Sequence, residues 1–246
     1  MTDKKFLDQK MDRREFLKKS GIGGAGLALG LSGASAFFAN QDRSSKKALD
    51  GDEDISFFGK HQAGITTPMQ KACYLVVLDL HTTDKKEVIQ LFKDWTDYSS
   101  KLVEGELVKK DGSNALLPPM DTGETVGLNP YRLSLTFGVS ADFLKKLGLE
   151  SKRPKLFRDL PPFPKEQLQD KYTGGDIVIQ ACADDEQVAF HAVRNLIRKG
   201  RNKINMKWSK SGFAAIGDRK ETPRNLFGFK DGTANVTKEK EFDKIS

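Results

Sequence analysis

The run Ala72-Cys-Tyr-Leu-Val-Val-Leu-Asp-Leu80 is almost entirely apolar and rich in residues that favour strands. Such a run, bounded by polar residues, predicts a buried β-strand. In the segment that follows it, apolar residues recur at helical spacing: Val88, Leu91, Phe92, Trp95 and Leu102. We expect Thr83 to cap this helix and Gly105 to end it. The folded part of the chain is therefore predicted to begin with a strand and an amphipathic helix.

The alternation of strands and helices continues towards the C-terminus. A long loop over residues 106–130 leads to a second strand, a short helix, a proline-rich stretch, a third strand, a second long helix and a fourth strand. The second strand covers residues 132–138, the short helix 141–147 and the proline-rich stretch 154–164. The third strand covers residues 176–183, the second long helix 184–199 and the fourth strand 203–212. Asp184 with Gln187 three residues later predicts a capping box for the second long helix. This order predicts an α+β fold of the ferredoxin-like (split βαβ) kind, with helices on one face of a four-stranded antiparallel sheet.

Composition and charge exclude several classes of protein. A chain of 246 residues with 37% hydrophobic and 30% charged residues is typical of a soluble globular protein with one or two cores. Of the net charge of +7, residues 1–39 carry +3, since they hold seven Lys or Arg and four acids. The remaining +4 is too thinly spread to favour nucleic acid as a partner. Cys73 and Cys182 are the only cysteines, and their apolar surroundings predict a buried pair of free thiols.

The N-terminus has the pattern of an export signal. Arg13 and Arg14 precede Phe16 and Leu17, and a glycine-rich apolar stretch with small residues follows up to position 39. A transmembrane helix is the competing interpretation, but the glycine and serine content weakens it. We predict that residues 1–39 are a twin-arginine signal peptide, which places the protein at the cell surface, in the medium or in the periplasm. Residues 40–56 are polar and are predicted to be a linker.

One stretch near the end of the chain suggests chemistry. Asn225-Leu-Phe-Gly-Phe-Lys-Asp-Gly-Thr-Ala-Asn235 places Asp231 between two glycines and beside two phenylalanines. Gly228 and Gly232 permit a sharp turn and the close approach of a flat ligand. The phenylalanines offer apolar faces next to the acid, an environment suited to proton transfer. A plain Asp-Gly turn is the alternative interpretation of the short motif.

The longer string resembles the Gly-x-x-Asp-Gly segment of the dye-decolorising (Dyp-type) haem peroxidases, and most of all their deferrochelatase/peroxidase branch, EfeB. The twin-arginine leader, residues 57–68 and residues 188–196 carry the same resemblance, which runs in order from about residue 57 to residue 235. Members of this family have two ferredoxin-like halves. The resemblance therefore implies that residues 57–246 are the first half, in truncated form, and that the second half is missing from this chain.

The resemblance also implies a cofactor and a site. The cofactor is haem b, and Asp231 is the distal acid–base group that moves a proton during peroxide cleavage. Phe229 would pack near the haem, and Gly232, Thr233 and Ala234 would run along the haem edge. In the family, the proximal histidine and a distal arginine come from the second half.

None of the three histidines in this chain matches the position of that proximal ligand. His61 is interpreted as a loop anchor, His81 as a solvated loop residue and His191 as a satisfied core or half-exposed residue. We therefore predict no metal ligand within this chain and expect the proximal histidine beyond Ser246.

These inferences predict an exported haem b-dependent peroxidase/deferrochelatase. It would reduce hydrogen peroxide, release iron from haem with the tetrapyrrole intact, or do both, in iron uptake. The implied partners are a membrane permease and another exported component of the same system; a homo-oligomer is left open. The alternative is a secreted protein that binds haem or delivers iron without turnover. A third interpretation is that this half alone is inert, because half a site cannot hold haem tightly.

Overall fold

The computed structural model describes residues 55–109, 118–214 and 224–230 and Gly232. Within these residues the chain forms four β-strands, three α-helices and two single-turn 3₁₀ helices. The strands are β1 (Ala72–Leu80), β2 (Ser134–Val139), β3 (Ile177–Ala183) and β4 (Ile204–Phe213). The α-helices are α1 (Lys85–Val103), α2 (Ala141–Lys146) and α3 (Glu186–Gly200).

The four strands form one sheet in the order β2-β3-β1-β4. Every neighbouring pair in that sheet is antiparallel. Helix α1 connects β1 to β2, and helix α3 connects β3 to β4, so each crossover passes over one strand of the other unit. This is the split βαβ arrangement, and the predicted ferredoxin-like α+β fold is confirmed.

The core lies between the sheet and helices α1 and α3. In β3, buried positions alternate with half-buried ones, as expected for a strand with one face against the core. The buried positions are Ile177, Ile179, Ala181 and Ala183. Cys182 and its neighbour Cys73 on β1 occupy alternate positions on the other face, and both are half-buried free thiols. The prediction of free thiols agrees with the structure, but the prediction that they are buried is wrong because they lie on the face away from the helices.

Helix α1 begins one residue later than predicted. Asp84, not Thr83, is the N-cap, and its side chain accepts a hydrogen bond from the backbone N of Lys86. A carboxylate at the cap position satisfies one of the donors that the first turn leaves free. The helix ends as predicted at Gly105, which has φ +73° and donates to the Leu102 carbonyl at 3.0 Å, in a Schellman-type C-cap.

The predicted capping box of helix α3 is wrong in the same way. Asp185 is the N-cap and accepts from the backbone N of Gln187 and of Val188. Asp184 instead lies next to the end of β3 and forms an ion pair with Arg132, with Nη1 and Oδ2 3.0 Å apart. A buried guanidinium needs a carboxylate partner, and this tertiary contact determines which of the two adjacent acids caps the helix.

Strand β2 begins at Ser134, two residues later than predicted. Tyr131 and Arg132 have φ of +46° and +54°, values that a strand cannot contain. The backbone N of Leu133 donates to the Pro130 carbonyl at 2.9 Å, which closes a turn at this point. The strand therefore starts only where the chain returns to extended geometry.

The proline-rich stretch behaves as predicted. Between α2 and β3 the only regular elements are the single-turn 3₁₀ helices Glu150–Lys152 and Asp170–Tyr172, since proline lacks the donor that helices and strands need. None of the helices within the described ranges is long and apolar enough to cross a membrane.

Candidate functional site

Residues 224–230 form a tight turn that is organised by Asn225. Its side-chain oxygen accepts hydrogen bonds from the backbone N of Phe227 at 3.0 Å and of Phe229 at 3.1 Å. Its backbone N donates to the Phe229 carbonyl at 2.8 Å, and its carbonyl accepts from Gly228 N at 2.9 Å. Asparagine side chains stabilise turns in this manner, so the conformation of this segment is set locally.

Both glycines of the motif adopt backbone angles that favour glycine. Gly228 has φ +83° and Gly232 has φ +72°, in the region that other residues rarely adopt. A Cβ at Gly228 would contact nothing within 4 Å, so the backbone angle rather than lack of space calls for glycine there. Arg224 and Lys230 form an antiparallel bridge that closes the turn, and Arg224 Nη1 donates to the Gly228 carbonyl at 2.7 Å.

The tip of the turn presents apolar side chains to solvent. Leu226, Phe227 and Phe229 are 88%, 87% and 70% exposed. Large apolar side chains grouped on a surface mark a place where a ligand or another part of a protein binds. The turn therefore exposes two aromatic side chains and one leucine to solvent.

Two of the five predicted site residues lie in the described part of the chain. Phe229 is exposed, and Gly232 has a positive φ. Asp231, Thr233 and Ala234 lie outside the described residues. Their roles, and the roles of Phe229 and Gly232 at a haem, stay predictions.

The segment at residues 57–68 is anchored to the edge of the sheet at β2. The side chain of Gln62 donates to the Phe137 carbonyl at 3.0 Å and accepts from Phe137 N at 2.7 Å. The Gln62 side chain thus takes the place of a neighbouring strand. Without it, the backbone groups of Phe137 at this edge of the sheet would be unpaired. Thr136 Oγ1 donates to the Ala63 carbonyl at 2.7 Å, so the segment also crosses the face of the sheet away from the helices.

His191 is buried, 1% exposed, on the inner side of helix α3. Its Nδ1 lies 2.7 Å from Glu124 Oε2, and its Nε2 lies 3.6 Å from Asp121 Oδ1. Arg194 on the same helix forms an ion pair with the other oxygen of Glu124. Because carboxylates face both ring nitrogens, His191 does not present a nitrogen to an iron, which agrees with its interpretation as a satisfied core residue.

The other two histidines of the chain differ in exposure. His81 is exposed at the end of β1, as predicted, and His61 is half-exposed in the segment at 57–68. Across the described ranges there is no group of three or more His, Cys, Asp or Glu side chains that could hold a metal ion.

Sequence reasoning missed the partners of His191. Glu124 and Thr122 belong to the long loop over residues 106–130, and Thr122 is bonded twice to Asn195 of helix α3, through its backbone N at 3.2 Å and through Oγ1 at 2.7 Å. The only signal in the sequence was the length of the loop, which compact domains rarely keep without purpose. The structure shows that the C-terminal part of this loop, which contains Thr122 and Glu124, is attached to helix α3.

Glu124 makes this attachment dependent on pH. Burial acts to raise the pKa of Glu124, but hydrogen bonds from Thr122 and His191 and the charge of Arg194 outweigh it and lower the pKa to about 2. A depressed carboxyl pKa stabilises the folded state above the unfolded pKa, and this stabilisation is lost as the pH falls through the folded pKa.

We therefore expect the free energy of unfolding to decrease between about pH 4.5 and about pH 2, with Glu124 contributing about 1–2 kcal/mol of that decrease after solvent screening. Urea denaturation at a series of pH values measures it. The variant Glu124→Gln should show a shallower dependence over this window, and Glu166→Gln, at an exposed acid, should follow the original protein. Equal pH profiles for Glu124→Gln and the original protein would contradict the assignment.

The fold and the turn together indicate the class of protein to which the chain belongs. The described residues form a ferredoxin-like α+β domain, and an exposed aromatic turn framed by glycines follows its last strand. The family model described as "Dyp-type peroxidase, N-terminal" matches residues 62–214, a range that contains the whole sheet. The chain belongs to the Dyp-type peroxidase family.

Individual relatives agree with this assignment. The deferrochelatase of Yersinia pseudotuberculosis (serotype I, strain IP32953) is 37% identical over 225 residues, which are 87% of this chain and 51% of that protein. The deferrochelatase of Escherichia coli strain K12 is 35% identical over 233 residues, 91% of this chain and 53% of that protein. The crystal structure of a DyP-type peroxidase from Streptomyces coelicolor has a TM-score of 0.69 and 37% identity, over 78% of this chain and 51% of that one. The chain thus spans about half the length of these relatives.

Proposed function

We propose that this chain is the N-terminal half of a haem b-dependent enzyme that reduces hydrogen peroxide, releases iron from haem with the tetrapyrrole intact, or does both. The observation that carries the proposal is the family match over residues 62–214, together with two deferrochelatases that are 37% and 35% identical over most of this chain. Fold alone would not support an activity. The sequence identity to these two deferrochelatases supports a shared chemistry as well as a shared fold.

The described residues fit a haem group. Phe227 and Phe229 expose aromatic faces, which favour contact with a flat, largely apolar ring. Gly228 and Gly232 have no Cβ and allow the backbone to approach such a ring closely. Phe229 and Gly232, with Thr233 and Ala234, are proposed to line the haem edge.

Asp231 is the residue of this chain to which we assign proton transfer. Bound haem supplies the redox-active iron at which peroxide is reduced. One carboxylate oxygen of Asp231 would accept a proton from one oxygen of hydrogen peroxide and return it to the other oxygen, which leaves as water. Lys230 and Gly232 flank Asp231 in the sequence, and the exposed phenylalanines would exclude water once a ligand covers them.

The cellular setting is also proposed. Arg13 and Arg14 followed by a glycine-rich apolar stretch support export by the twin-arginine route, and export supports a role in iron uptake beside a membrane permease and another exported component. Cell fractionation tests the export proposal: a protein that stays in the cytoplasm with residues 1–39 uncleaved would contradict it.

Haem titration followed by turnover assays tests the proposed function. We expect a form that spans the full length of the relatives to develop a Soret band with stoichiometric haem, to oxidise a dye with hydrogen peroxide, and to produce iron-free porphyrin from haem under reducing conditions. This chain alone is expected to bind haem at least about tenfold more weakly, since it provides part of the contact area. If the full-length form takes up no haem, the proposal is wrong.

The alternative is a secreted protein that binds haem or delivers iron without turnover. It predicts the same Soret band but neither dye oxidation nor iron-free porphyrin. The two functions are therefore separated by the turnover assays and not by binding.

A further inference from the structure

The two cysteines of the chain are direct neighbours in the sheet. In the antiparallel pairing of β1 with β3, Cys73 lies opposite Cys182. Side chains alternate between the two faces of a strand, and Val76 and Leu78 of β1 belong to the core on the helix side. Cys73 therefore lies on the other face, where it meets Cys182.

Neighbouring hydrogen bonds identify the kind of pair. The backbone N of Ala214, beyond the end of β4, donates to the Lys71 carbonyl, and Asp184 N donates to the Tyr131 carbonyl. Backbone groups two residues apart in a strand point to the same side, so those of Cys73 point to β4 and those of Cys182 point to β2. The cysteines consequently form a non-hydrogen-bonded pair.

Such pairs have the geometry that a disulfide requires. Opposite residues in a non-hydrogen-bonded pair have their Cα atoms about 4.5 Å apart, with the side chains close together. Disulfides need Cα atoms about 4.4–6.8 Å apart. The register that unites Cys73 and Cys182 thus permits a bond between them without a change of fold.

The two thiols differ in acidity. A hydrogen bond from the Cys182 thiol lowers the pKa of Cys73 to about 7, against the effect of burial. The same hydrogen bond and burial raise the pKa of Cys182. The thiolate is the reactive form of cysteine, so Cys73 is the nucleophile of the pair and Cys182 the second thiol.

A small oxidant can reach this pair. Both thiols are half-buried and line a cavity of about 420 Å³. Gly212 is the partner of Cys73 on β4, and a Cβ at Gly212 would contact nothing within 4 Å. The space next to Cys73 is therefore open on the β4 side. On the β2 side, Ser134 pairs with Cys182 and is buried.

We propose that Cys73 and Cys182 are a redox-active pair that hydrogen peroxide converts into a cross-strand disulfide. The Cys73 thiolate attacks one peroxide oxygen, an S–O bond forms, and the O–O bond breaks to release hydroxide, which takes a proton and leaves as water. The Cys182 sulfur then attacks the Cys73 sulfenic acid, and the second oxygen leaves as water. Two thiols and one peroxide give one disulfide and two waters. This reaction requires no haem, so it stands independently of the proposed function.

The test treats the reduced, haem-free chain with equimolar hydrogen peroxide at pH 7. We expect both thiols to disappear, the intact mass to fall by the mass of two hydrogen atoms, and a proteolytic digest to contain one peptide that joins Cys73 to Cys182. Dithiothreitol should restore both thiols. Loss of thiols by linkage between chains, or oxygen added to both cysteines without a joined peptide, would overturn the proposal, as would a chain that keeps both thiols.

Serine variants assign the two roles. Cys182→Ser should stop at a sulfenic acid on Cys73, which dimedone traps. Cys73→Ser should react with peroxide roughly tenfold more slowly at pH 7, because the thiol of Cys182 has less thiolate. Equal rates for the two variants would contradict the assignment of Cys73 as nucleophile. Serine is close in size to cysteine, and circular dichroism checks that both variants keep the fold.

Discussion

Asp231→Asn is expected to lower the rate of peroxide-driven dye oxidation by about 10²- to 10⁴-fold in a form that spans the full length of the relatives. Asparagine has nearly the shape of aspartate but cannot accept and return a proton. The Soret absorbance of the bound haem should stay nearly unchanged, since the proposed haem contacts are made by Phe229, Gly232, Thr233 and Ala234. Steady-state dye oxidation, normalised to the haem content of each preparation, measures the effect.

The matched control is Asp159→Asn, which removes an exposed carboxylate in the proline-rich stretch, away from the turn in sequence. It should retain full activity. An Asp231→Asn enzyme that oxidises dye at the original rate would show that another group transfers the proton. Loss of both activity and haem would instead indicate that Asp231 is needed for binding, and the assignment of acid–base catalysis would then be withdrawn.

Trp95→Ala is expected to lower the free energy of unfolding by about 3–5 kcal/mol. Trp95 is 1% exposed and lies on helix α1 against the sheet. Its ring stacks on Phe137 of β2, with ring centroids 5.7 Å apart, and its Nε1 donates to the Leu196 carbonyl of helix α3 at 2.8 Å. Alanine would remove both contacts and leave a cavity among α1, α3 and the sheet. Equilibrium urea denaturation measures the change.

Two further variants separate the causes. Trp95→Phe keeps a ring but loses the indole donor, and is expected to cost about 1–2 kcal/mol. Ile89→Ala changes an exposed residue of the same helix and should change stability by no more than about 0.5 kcal/mol. If Trp95→Ala were no more destabilising than Ile89→Ala, the packing described for this core would be incorrect.

The strands and helices could largely be predicted from local pattern. Strand β1 has the predicted bounds, and β3 and β4 begin within one residue of the predicted positions. Apolar spacing is a strong signal where one face of an element is buried against a core. The ferredoxin-like order of elements then followed, because few arrangements bury two amphipathic helices on a four-stranded sheet.

The ends of elements could not be predicted as well. Asp84 and Asp185 cap the helices in place of Thr83 and Asp184, and in both cases a neighbouring residue has an equally suitable side chain. Asp184 is engaged by Arg132, 52 residues earlier in the chain. A local rule cannot choose between adjacent capping residues when a distant side chain forms an ion pair with one of them.

The candidate site likewise has one part that could be predicted from the sequence and one part that could not. The turn at residues 224–230 is held by Asn225 and the positive φ of Gly228, so its shape could be inferred from a short stretch. The network around His191 could not, because Glu124 lies 67 residues away in sequence and in a loop without periodic pattern.

The amino-acid sequence by itself determined the strands, the helices, the sharp turn of the glycine motif and the family to which the motif points, since each of these depends on residues close together in the chain. Only the tertiary structure decided that Cys73 faces Cys182 and that Glu124 faces His191. The physical reason is that strand order and register bring together residues from distant parts of the chain, and a shift of one residue would place every side chain of a strand on the opposite face.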